Sequence, residues 1–369
     1  MEQPGVVGFA ERVLELVEEG RHTTTYKLAL IVALIDVCLE QTQASGIPPD
    51  ALTTRQLAEK VIEIYWPHAM PFVGKSAIVL RQAVRGEAEI LSEIVRFRER
   101  HGPDPSVPRW EARRTAGDAY ERLLRHVEWK LIEMPLPRLQ MIGHSHHRFI
   151  YEIHWDERIH RRDVSRYQTL EPSTFDNRVL LMPNVGSYLL QLNGLLRPLI
   201  QLRWAAMVAR INSLEDSRLE TFLFGASRAQ TSVIRAGLWT MQRRRCFYCD
   251  GEVRDVSRTC VDHFIPWSRY PDDGLDNLVV TDVRCNEFES NSLAAAEHVA
   301  RWARRFAPQS TENGQLLELA GRTRWDRHPD RNLSVARGIY FRLPDDAQLW
   351  LRQRQFVQPD LDQIRTALA

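Results

Sequence analysis

Apolar residues recur at three- and four-residue spacing through most of the N-terminal half of the chain. This spacing places them on one face of an α-helix, so it predicts amphipathic helices. Residues 7–20 and 23–43 have the pattern. It continues after Thr53-Thr54, where either threonine can cap a helix that ends before Pro67. Further helices are predicted over residues 76–101, 110–134, 184–213 and 219–245.

Two segments of the middle region have the aromatic and β-branched composition of strands. Arg148–Trp155 (RFIYEIHW) is predicted to form one strand, and Asp176–Met182 is expected to pair with it. Towards the C-terminus the spacing again predicts helices, over residues 293–306, 315–322, 332–343 and 360–368. The predicted fold class is therefore mainly α, with a small α+β insert around residues 246–292.

These elements divide into four expected regions. Residues 1–105 form a helical N-terminal domain, whose helix–turn–helix order fits a winged-helix module or a plain helical bundle, although no convincing wing follows. The Gly- and Pro-rich run Gly102–Pro108 is a plausible linker. Residues 106–240 form a largely helical region with a short β-hairpin. Residues 241–310 contain the α+β unit, and residues 311–369 form a helical extension.

The composition is that of a soluble globular protein, because 44% of the 369 residues are hydrophobic and 26% are charged. The formal net charge is only +1, so a nucleic-acid-binding surface must be a local patch. Arginine supplies nearly all the positive charge. A GC-rich coding sequence would explain this bias, although arginine also suits bidentate phosphate contacts better than lysine does.

Targeting signals are not evident in the sequence. The N-terminus starts acidic and lacks the basic and apolar regions of a signal peptide. Leu28–Leu39, the longest apolar stretch, contains Asp36 and is too short to span a bilayer. We therefore expect a cytoplasmic protein.

Four of the five cysteines lie between Cys246 and Cys285. Clustering of this kind favours a metal site over a disulfide framework, whereas Cys38, alone in an apolar helical stretch, is expected in the core. Cys246 and Cys249 have CxxC spacing. Cys285 lacks a CxxC partner, because Asp282 occupies that position.

Between these cysteines lie the side chains that phosphodiester hydrolysis requires. The reaction needs a base that activates water and a cation that neutralises the phosphorane and the leaving oxygen. Histidine can be the base, and Mg²⁺ needs only one or two protein oxygen ligands. Asp262 and His263 lie in a predicted short strand, Asn277 begins a second strand, and Asn286 lies on the first turn of a helix. The sequence thus predicts a strand–loop–strand–helix unit with hydrolytic chemistry.

The run VDHFIPWSRYPDDGLDNLVVTDVRCN resembles the motif of HNH endonucleases, whose fold is the ββα-metal unit. His263, Asn277 and Asn286 match its three named positions, with asparagine at the third where histidine is frequent. Their separations resemble those in the HNH domains of CRISPR effector nucleases. The resemblance implies that residues 241–310 form an HNH domain with His263 as the general base. Asp262 and Asn286 would hold Mg²⁺ or Mn²⁺, and Asn277 would brace the loop and orient the histidine.

Many HNH units also contain a structural zinc ion held by two CxxC pairs. Here Cys246, Cys249 and Cys285 would supply three zinc ligands, and Asp282 stands in place of the fourth. Cys260 and the more distant His298 are alternative fourth ligands. The alternative to a zinc site is that three thiols pack a small core without metal.

Arginines near the motif are the expected nucleic-acid contacts, although they could equally form an ordinary solvated face. They are Arg243, Arg244, Arg245, Arg269 and Arg284. HNH helices often carry a lysine after the third motif position, and this lysine meets a DNA phosphate. This chain has Glu287 and Glu289 there, and both are expected to repel a phosphate backbone.

The resemblance implies a metal-dependent endonuclease whose substrate is DNA. Stand-alone HNH proteins of bacterial restriction and antiphage defence have a similar order, with the nuclease behind another region. A defence role, a homodimer and a defence-system partner protein are therefore expectations by analogy. Two alternatives are an RNA-cleaving toxin with the same site and a non-catalytic, zinc-stabilised module that binds nucleic acid or a partner.

Overall fold

The computed structural model describes residues 5–19, 23–73, 77–102, 104, 107–215, 217–225, 231–289 and 291–369. The chain divides into two units. The first comprises Met1–Cys38 and Pro49–Gly225, and the second comprises Leu39–Pro48 and Ala226–Ala369. The expected linker Gly102–Pro108 lies partly outside the described residues, and the division into four regions stays a prediction. Among the described residues, no helix is both long enough and apolar enough to cross a bilayer.

Helices form most of the first unit, as the apolar spacing predicts. Thr53 caps one of them in a reciprocal arrangement with Gln56, which confirms the predicted helix start. The helices are α1 (Val6–Glu19), α2 (Tyr26–Glu40), α3 (Thr54–Tyr65), α4 (Glu89–His101), α5 (Arg109–Thr115), α6 (Gly117–Glu133), α7 (Pro135–Arg138), α8 (Arg161–Gln168), α9 (Val185–Asn212) and α10 (Leu219–Phe224).

Asp36 lies inside the apolar helix α2, where an unpaired charge would be costly. It is buried and forms an ion pair with Arg197 of α9, which is buried as well. Arg197 also donates to the Asn193 side chain at 3.1 Å. The charge in the longest apolar stretch is thus a paired core residue.

The strands of the first unit are short: β1 (Ala51–Thr53), β2 (Pro71–Val73), β3 (Ala77–Val79), β4 (Met141–Ile142), β5 (Ser145–His146), β6 (Tyr151–Glu152) and β7 (Arg178–Leu181). The predicted pairing of the two middle segments is confirmed, since β6 and β7 pair antiparallel with Tyr151 opposite Leu181. β1 completes an antiparallel sheet in the order β1-β7-β6. In the described part of the chain β2 and β3 pair antiparallel with each other and neither pairs with β1, and the choice between a winged-helix module and a plain helical bundle stays a prediction.

Two predicted helices are wrong in extent. The helix predicted over 76–101 begins only at Glu89, because Ala77–Val79 pairs with β2 and Gly86 has a φ of +66°, which an α-helix does not allow. The helix predicted over 219–245 is two helices. The first, α10, ends at Phe224, because the backbone of Gly225 is extended.

The second unit combines helices with two hairpins. Its elements are α11 (Ser232–Met241), β8 (Thr259–His263), β9 (Leu278–Asp282), α12 (Val283–Glu289), α13 (Ala296–Arg304), α14 (Thr311–Thr323), α15 (Pro329–Tyr340), β10 (Leu349–Arg352), β11 (Gln355–Val357) and α16 (Leu361–Leu368). Short 3₁₀ turns precede β8 and β9, at Val256–Arg258 and Leu275–Asn277. The predicted fold class, mainly α with a small α+β unit, is confirmed.

The predicted helical extension is part of the second unit and is not purely helical. It contains the β10–β11 hairpin, which the spacing did not predict. Trp350 of β10 is fully buried, and its ring lies 4.9 Å from that of Tyr248, beside the first cysteines. The segment Leu39–Pro48 belongs to the same unit, where Arg342 donates to the carbonyl of Gly46 at 2.7 Å.

Candidate active site and metal cluster

The β8–β9 hairpin places the predicted site residues at its two ends. The strands pair antiparallel, with Thr259 opposite Asp282 and His263 opposite Leu278. α12 follows β9 directly and contacts both strands. This is the strand–loop–strand–helix order that the sequence predicts.

His263 ends β8 and is fixed by a carboxylate from the loop that follows. Its Nε2 lies 2.8 Å from Oδ1 of Asp273. When Nε2–H donates to that carboxylate, the lone pair of the neutral ring is at Nδ1, which has no hydrogen bond among the described residues. Burial lowers the pKa of His263, but the hydrogen bond and charge of Asp273 outweigh this effect and raise it. The His263 ring is therefore held at one nitrogen, and its other nitrogen could accept a proton.

Asp273 was not predicted as a site residue. Its only signal in the sequence is the acidic pair Asp272-Asp273 in a loop that is otherwise ordinary. Its role depends on the loop conformation, which brings a carboxylate ten positions along the chain back to His263.

Asn277 is fully buried and closes this loop through its side chain. Its Oδ1 accepts from the amide of Ile265 at 2.8 Å, and its Nδ2 donates to the carbonyl of Asp272 at 3.1 Å. Its own carbonyl accepts from the amide of Phe264 at 2.8 Å. Among the described residues no hydrogen bond joins Asn277 to His263, so any effect on the histidine passes through the loop.

A segment far along the chain, residues 325–331, holds the same loop. The Asp276 carboxylate is fully buried, pairs with Arg327 at 2.7 Å and accepts from the amide of His328 at 2.7 Å. Three further bonds tie the loop to this segment: Arg331 to the Asp272 carboxylate at 2.6 Å, Trp325 Nε1 to the Asp273 carbonyl at 2.7 Å, and the Leu275 amide to the Asp326 carbonyl at 2.9 Å. The backbone around Asp273, the partner of His263, is thus held both by Asn277 and by residues 325–331.

Asp262 precedes His263 and, as a neighbour on a strand, points to the other face of β8. Its Oδ1 accepts from the amide of His263 at 2.9 Å, and the hydroxyl of Tyr248 lies 3.4 Å from its Oδ2. Asn286 is half-buried on α12, the helix that contacts this strand. The predicted cation ligands are therefore on two elements that pack together.

Glu289, at the end of α12, lies beside Asp262 and was not predicted there. The expectation that Glu289 repels a phosphate backbone is wrong, because its side chain is 0% exposed, whereas Glu287 is exposed. Neither carboxylate oxygen of Glu289 has a well-formed hydrogen bond among the described residues. Burial raises the pKa of Asp262, and burial together with the charge of Asp262 raises the pKa of Glu289.

The predicted nucleic-acid arginines differ in their surroundings. Arg243 and Arg284 are exposed. Arg244 lies over the Trp239 ring at 5.0 Å, and Arg245 donates to the Asp250 carbonyl at 2.6 Å. Arg269 is half-buried, and burial lowers its pKa. Their contact with nucleic acid stays a prediction.

The cysteine cluster has four members that the structure brings together: Cys246, Cys249, Asp282 and Cys285. Each offers one ligand atom, and these atoms all lie within 4.8 Å of one another. The Cys249 thiol donates to Asp282 at 3.2 Å, and the amide of Gly251 donates to the Cys249 sulfur at 3.4 Å. Such a set of three thiols and a carboxylate could hold a metal ion such as zinc.

Asp282 is the carboxylate that completes this cluster. Burial alone would raise its pKa, but the Cys285 amide and the thiols donate to it and lower the pKa to about 2. It is therefore ionised at neutral pH, as a ligand must be. The two alternative fourth ligands lie elsewhere: Cys260 is outside the cluster, and His298 is bonded to the carbonyl of Leu351 at 2.7 Å.

We expect the purified protein to contain about one equivalent of zinc, as a closed structural site requires. Cys285→Ala should reduce this content to near zero and lower the melting temperature, because metal-binding free energy stabilises the fold. Asp282→Cys should keep the zinc. Elemental analysis after gel filtration is the measurement, with Cys260→Ala as the matched control. Equal zinc contents in wild type and Cys285→Ala would contradict this assignment.

Comparison with known families gave one match in the N-terminal part of the chain and one in the part that contains the β8–β9 hairpin. Residues 8–223, more than half of the chain, match the family described as Domain of unknown function (DUF8808). Residues 246–295, which hold the hairpin, α12 and the cysteine cluster, match the family described as HNH endonuclease. No curated protein and no solved structure gave a significant match. The chain therefore belongs to the DUF8808 family and carries an HNH endonuclease domain at residues 246–295.

Proposed function

We propose that this protein is a metal-dependent endonuclease that hydrolyses phosphodiester bonds of DNA. The HNH domain supports the general activity of a nuclease that acts on nucleic acid. The observation that carries the proposal is His263, held at Nε2 by Asp273 while Nδ1 can accept a proton. This is the arrangement that a general base for water activation requires.

Nδ1 of His263 would accept a proton from a water molecule while the oxygen of that water attacks phosphorus. Asp273 would hold the ring at its other nitrogen and stabilise the imidazolium that forms, since a carboxylate favours the charged histidine. Asn277 and the segment 325–331 fix the loop, so Asp273 and His263 keep their relative position. The chain thus positions the base before substrate arrives.

Asp262 and Asn286 would hold the catalytic cation, Mg²⁺ or Mn²⁺. Their carboxylate and amide oxygens are the hard donors that these ions prefer. When bound, the cation would neutralise charge on the phosphate and the leaving oxygen. Zn²⁺ at Cys246, Cys249, Asp282 and Cys285 would have a structural role. Arg243, just before the HNH domain, and Arg284, on α12 within it, are both exposed and are the proposed phosphate contacts.

A biological role in bacterial restriction or antiphage defence rests on analogy of domain order alone. Homodimer formation and a defence-system partner protein share that basis. An RNA substrate would use the same residues, and a binding module without catalysis would keep the zinc cluster. Cleavage assays on DNA and RNA separate these alternatives.

Purified protein should nick or linearise supercoiled plasmid when Mg²⁺ or Mn²⁺ is added. His263→Ala should lower the cleavage rate by about 10²- to 10⁴-fold, the usual contribution of a general base. His144→Ala, an exposed histidine of the first unit, should cleave like wild type. A parallel assay on single-stranded RNA identifies the preferred substrate. If His263→Ala, with zinc content and melting temperature unchanged, cleaves as fast as wild type, the proposed mechanism is wrong.

Asp273→Asn should lower kcat by roughly 10- to 100-fold with little change in KM, because the base loses its orienting carboxylate. The free base is the active form, so the rate rises with pH through the pKa of His263. Asp273 raises this pKa, and its removal should move the acidic limb of the pH–rate profile to lower pH. Glu318→Gln, an exposed acid of the same unit, serves as the control. A loss of rate without any shift of the limb would indicate a merely structural role.

A further inference from the structure

The first unit contains an arginine-lined cavity that the nuclease chemistry does not use. α4, α6 and α8 surround a volume of about 470 Å³. Arginines come from all three helices: Arg96, Arg100, Arg122, Arg125 and Arg161. The lining contains one carboxylate, Glu93, and Arg96 pairs with it at 2.5 Å.

The other four arginines have no ion pair among the described residues. Like charges that share one cavity repel each other, so a bound anion would relieve this repulsion. Guanidinium groups also match phosphate oxygens in a bidentate geometry. The charge and the donor type therefore both favour a phosphorylated ligand.

The size and lining of the cavity narrow the range of possible ligands further. A volume of 470 Å³ lies within the range of small-molecule sites, roughly 300–1,000 Å³. His101 of the lining is exposed and packs against Phe97, with ring centroids 5.0 Å apart. Its flat ring offers a surface on which a nucleobase could stack. Ser165 and Gln168 of α8, and Thr169 directly after it, add polar groups to the lining.

We propose that this cavity binds the phosphate groups of a nucleotide, so that the DUF8808 domain is a nucleotide-binding domain. Arg122 of α6 and Arg161 of α8 would contact the phosphates from two walls. Two sources share this chemistry, a free nucleoside triphosphate and the end of a nucleic-acid strand. The volume favours the free nucleotide.

Binding to the full chain can be measured by isothermal titration without added divalent cation, so that the nuclease site does not recruit phosphate through a metal. The probes are ATP, GTP, inorganic pyrophosphate and a twelve-nucleotide single-stranded DNA. The double variant Arg122→Ala/Arg161→Ala should weaken binding of at least one probe by 10-fold or more. The matched control is Arg162→Ala/Arg166→Ala, two exposed arginines of α8 that do not line the cavity.

A loss confined to ATP, GTP or pyrophosphate supports a free nucleotide ligand, and a loss confined to the oligonucleotide supports a strand end. If no probe binds wild type below millimolar concentration, the proposal is overturned. It is overturned equally if the double variant and its control bind alike. A second double variant, Arg100→Gln/Arg125→Gln, keeps the test valid if the alanine variant fails to fold.

Glu289 carries a second inference, which rests on the proposed function. Its carboxylate is fully buried and lies beside Asp262, and neither oxygen has a well-formed hydrogen bond among the described residues. Glu289 also follows Asn286 by three positions, so the two side chains lie on one face of α12. Glu289 thus lies buried against a second acidic side chain, Asp262, and a divalent cation ligated by both carboxylates would offset their mutual repulsion.

We infer that Glu289 is a third oxygen ligand of the divalent cation that Asp262 and Asn286 would hold. Mn²⁺ binding to zinc-loaded protein can be measured by electron paramagnetic resonance without substrate. Glu289→Gln, which keeps the size of the side chain, should weaken Mn²⁺ binding by 10-fold or more. Glu287→Gln on the exposed face of α12 should bind like wild type.

Asp262→Asn separates failure of this inference from failure of the proposed function. If Asp262→Asn loses Mn²⁺ while Glu289→Gln binds like wild type, Glu289 is not a ligand and the nuclease proposal stands. If neither substitution changes Mn²⁺ affinity, the cation site itself is wrong. Glu289→Asp, which keeps a carboxylate and should retain part of the affinity, replaces the glutamine variant if the latter fails to fold.

Discussion

The geometry of the candidate active site depends on one buried carboxylate. Asp276 is 0% exposed, and among the described residues its carboxylate is hydrogen-bonded by Arg327 and by the amide of His328, both in a distant segment. Breaking such a pair leaves an uncompensated charge inside the protein, at a cost of about 3–5 kcal/mol. The pair therefore locks the β8–β9 loop to residues 325–331. Since the loop carries Asp273, this pair also fixes the position of the carboxylate that contacts His263.

Because Asp276 depends on Arg327, the structural unit that supports the candidate site extends beyond the residues that match the HNH family. The HNH match ends at residue 295, whereas the residues that hold the β8–β9 loop lie at 325–331. Trp350, further still, packs against Tyr248 beside the first cysteines. A fragment that stops at the end of the match would lose the partner of Asp276 and expose the Tyr248 ring. The C-terminal helices are thus part of the nuclease scaffold.

The sequence was sufficient to select Asp262, His263, Asn277 and Asn286 as candidates, because a hairpin followed by a helix brings nearby positions together at fixed spacing. It gave no reason to add Asp273 or Glu289 to these candidates. The contact of Asp273 depends on a loop that distant residues hold, and the burial of Glu289 depends on how α12 packs. Both belong to tertiary structure, which spacing along the chain does not encode.

The difference between local spacing and tertiary structure also explains the errors in the predicted fold. Apolar periodicity predicted most helices, because it reports which face is buried. It does not report a positive φ at Gly86 or an extended backbone at Gly225, so two predicted helices were too long. Pairing of β1 with β7 joins positions about 130 residues apart, and no local pattern marks such a pair.

The candidate metal cluster and the candidate active site are connected through α12. A helix of seven residues has little stability of its own, so its position must come from outside contacts. Asp282 and Cys285 supply them at its N-terminal end, where the Cys285 amide donates to Asp282 at 2.9 Å. Asn286 follows Cys285 directly and projects about 100° further around the helix axis. A structural ion at the cysteine cluster would therefore hold the N-terminal end of this short helix, so losing it would displace Asn286 and Glu289, which follow Cys285 on the same helix.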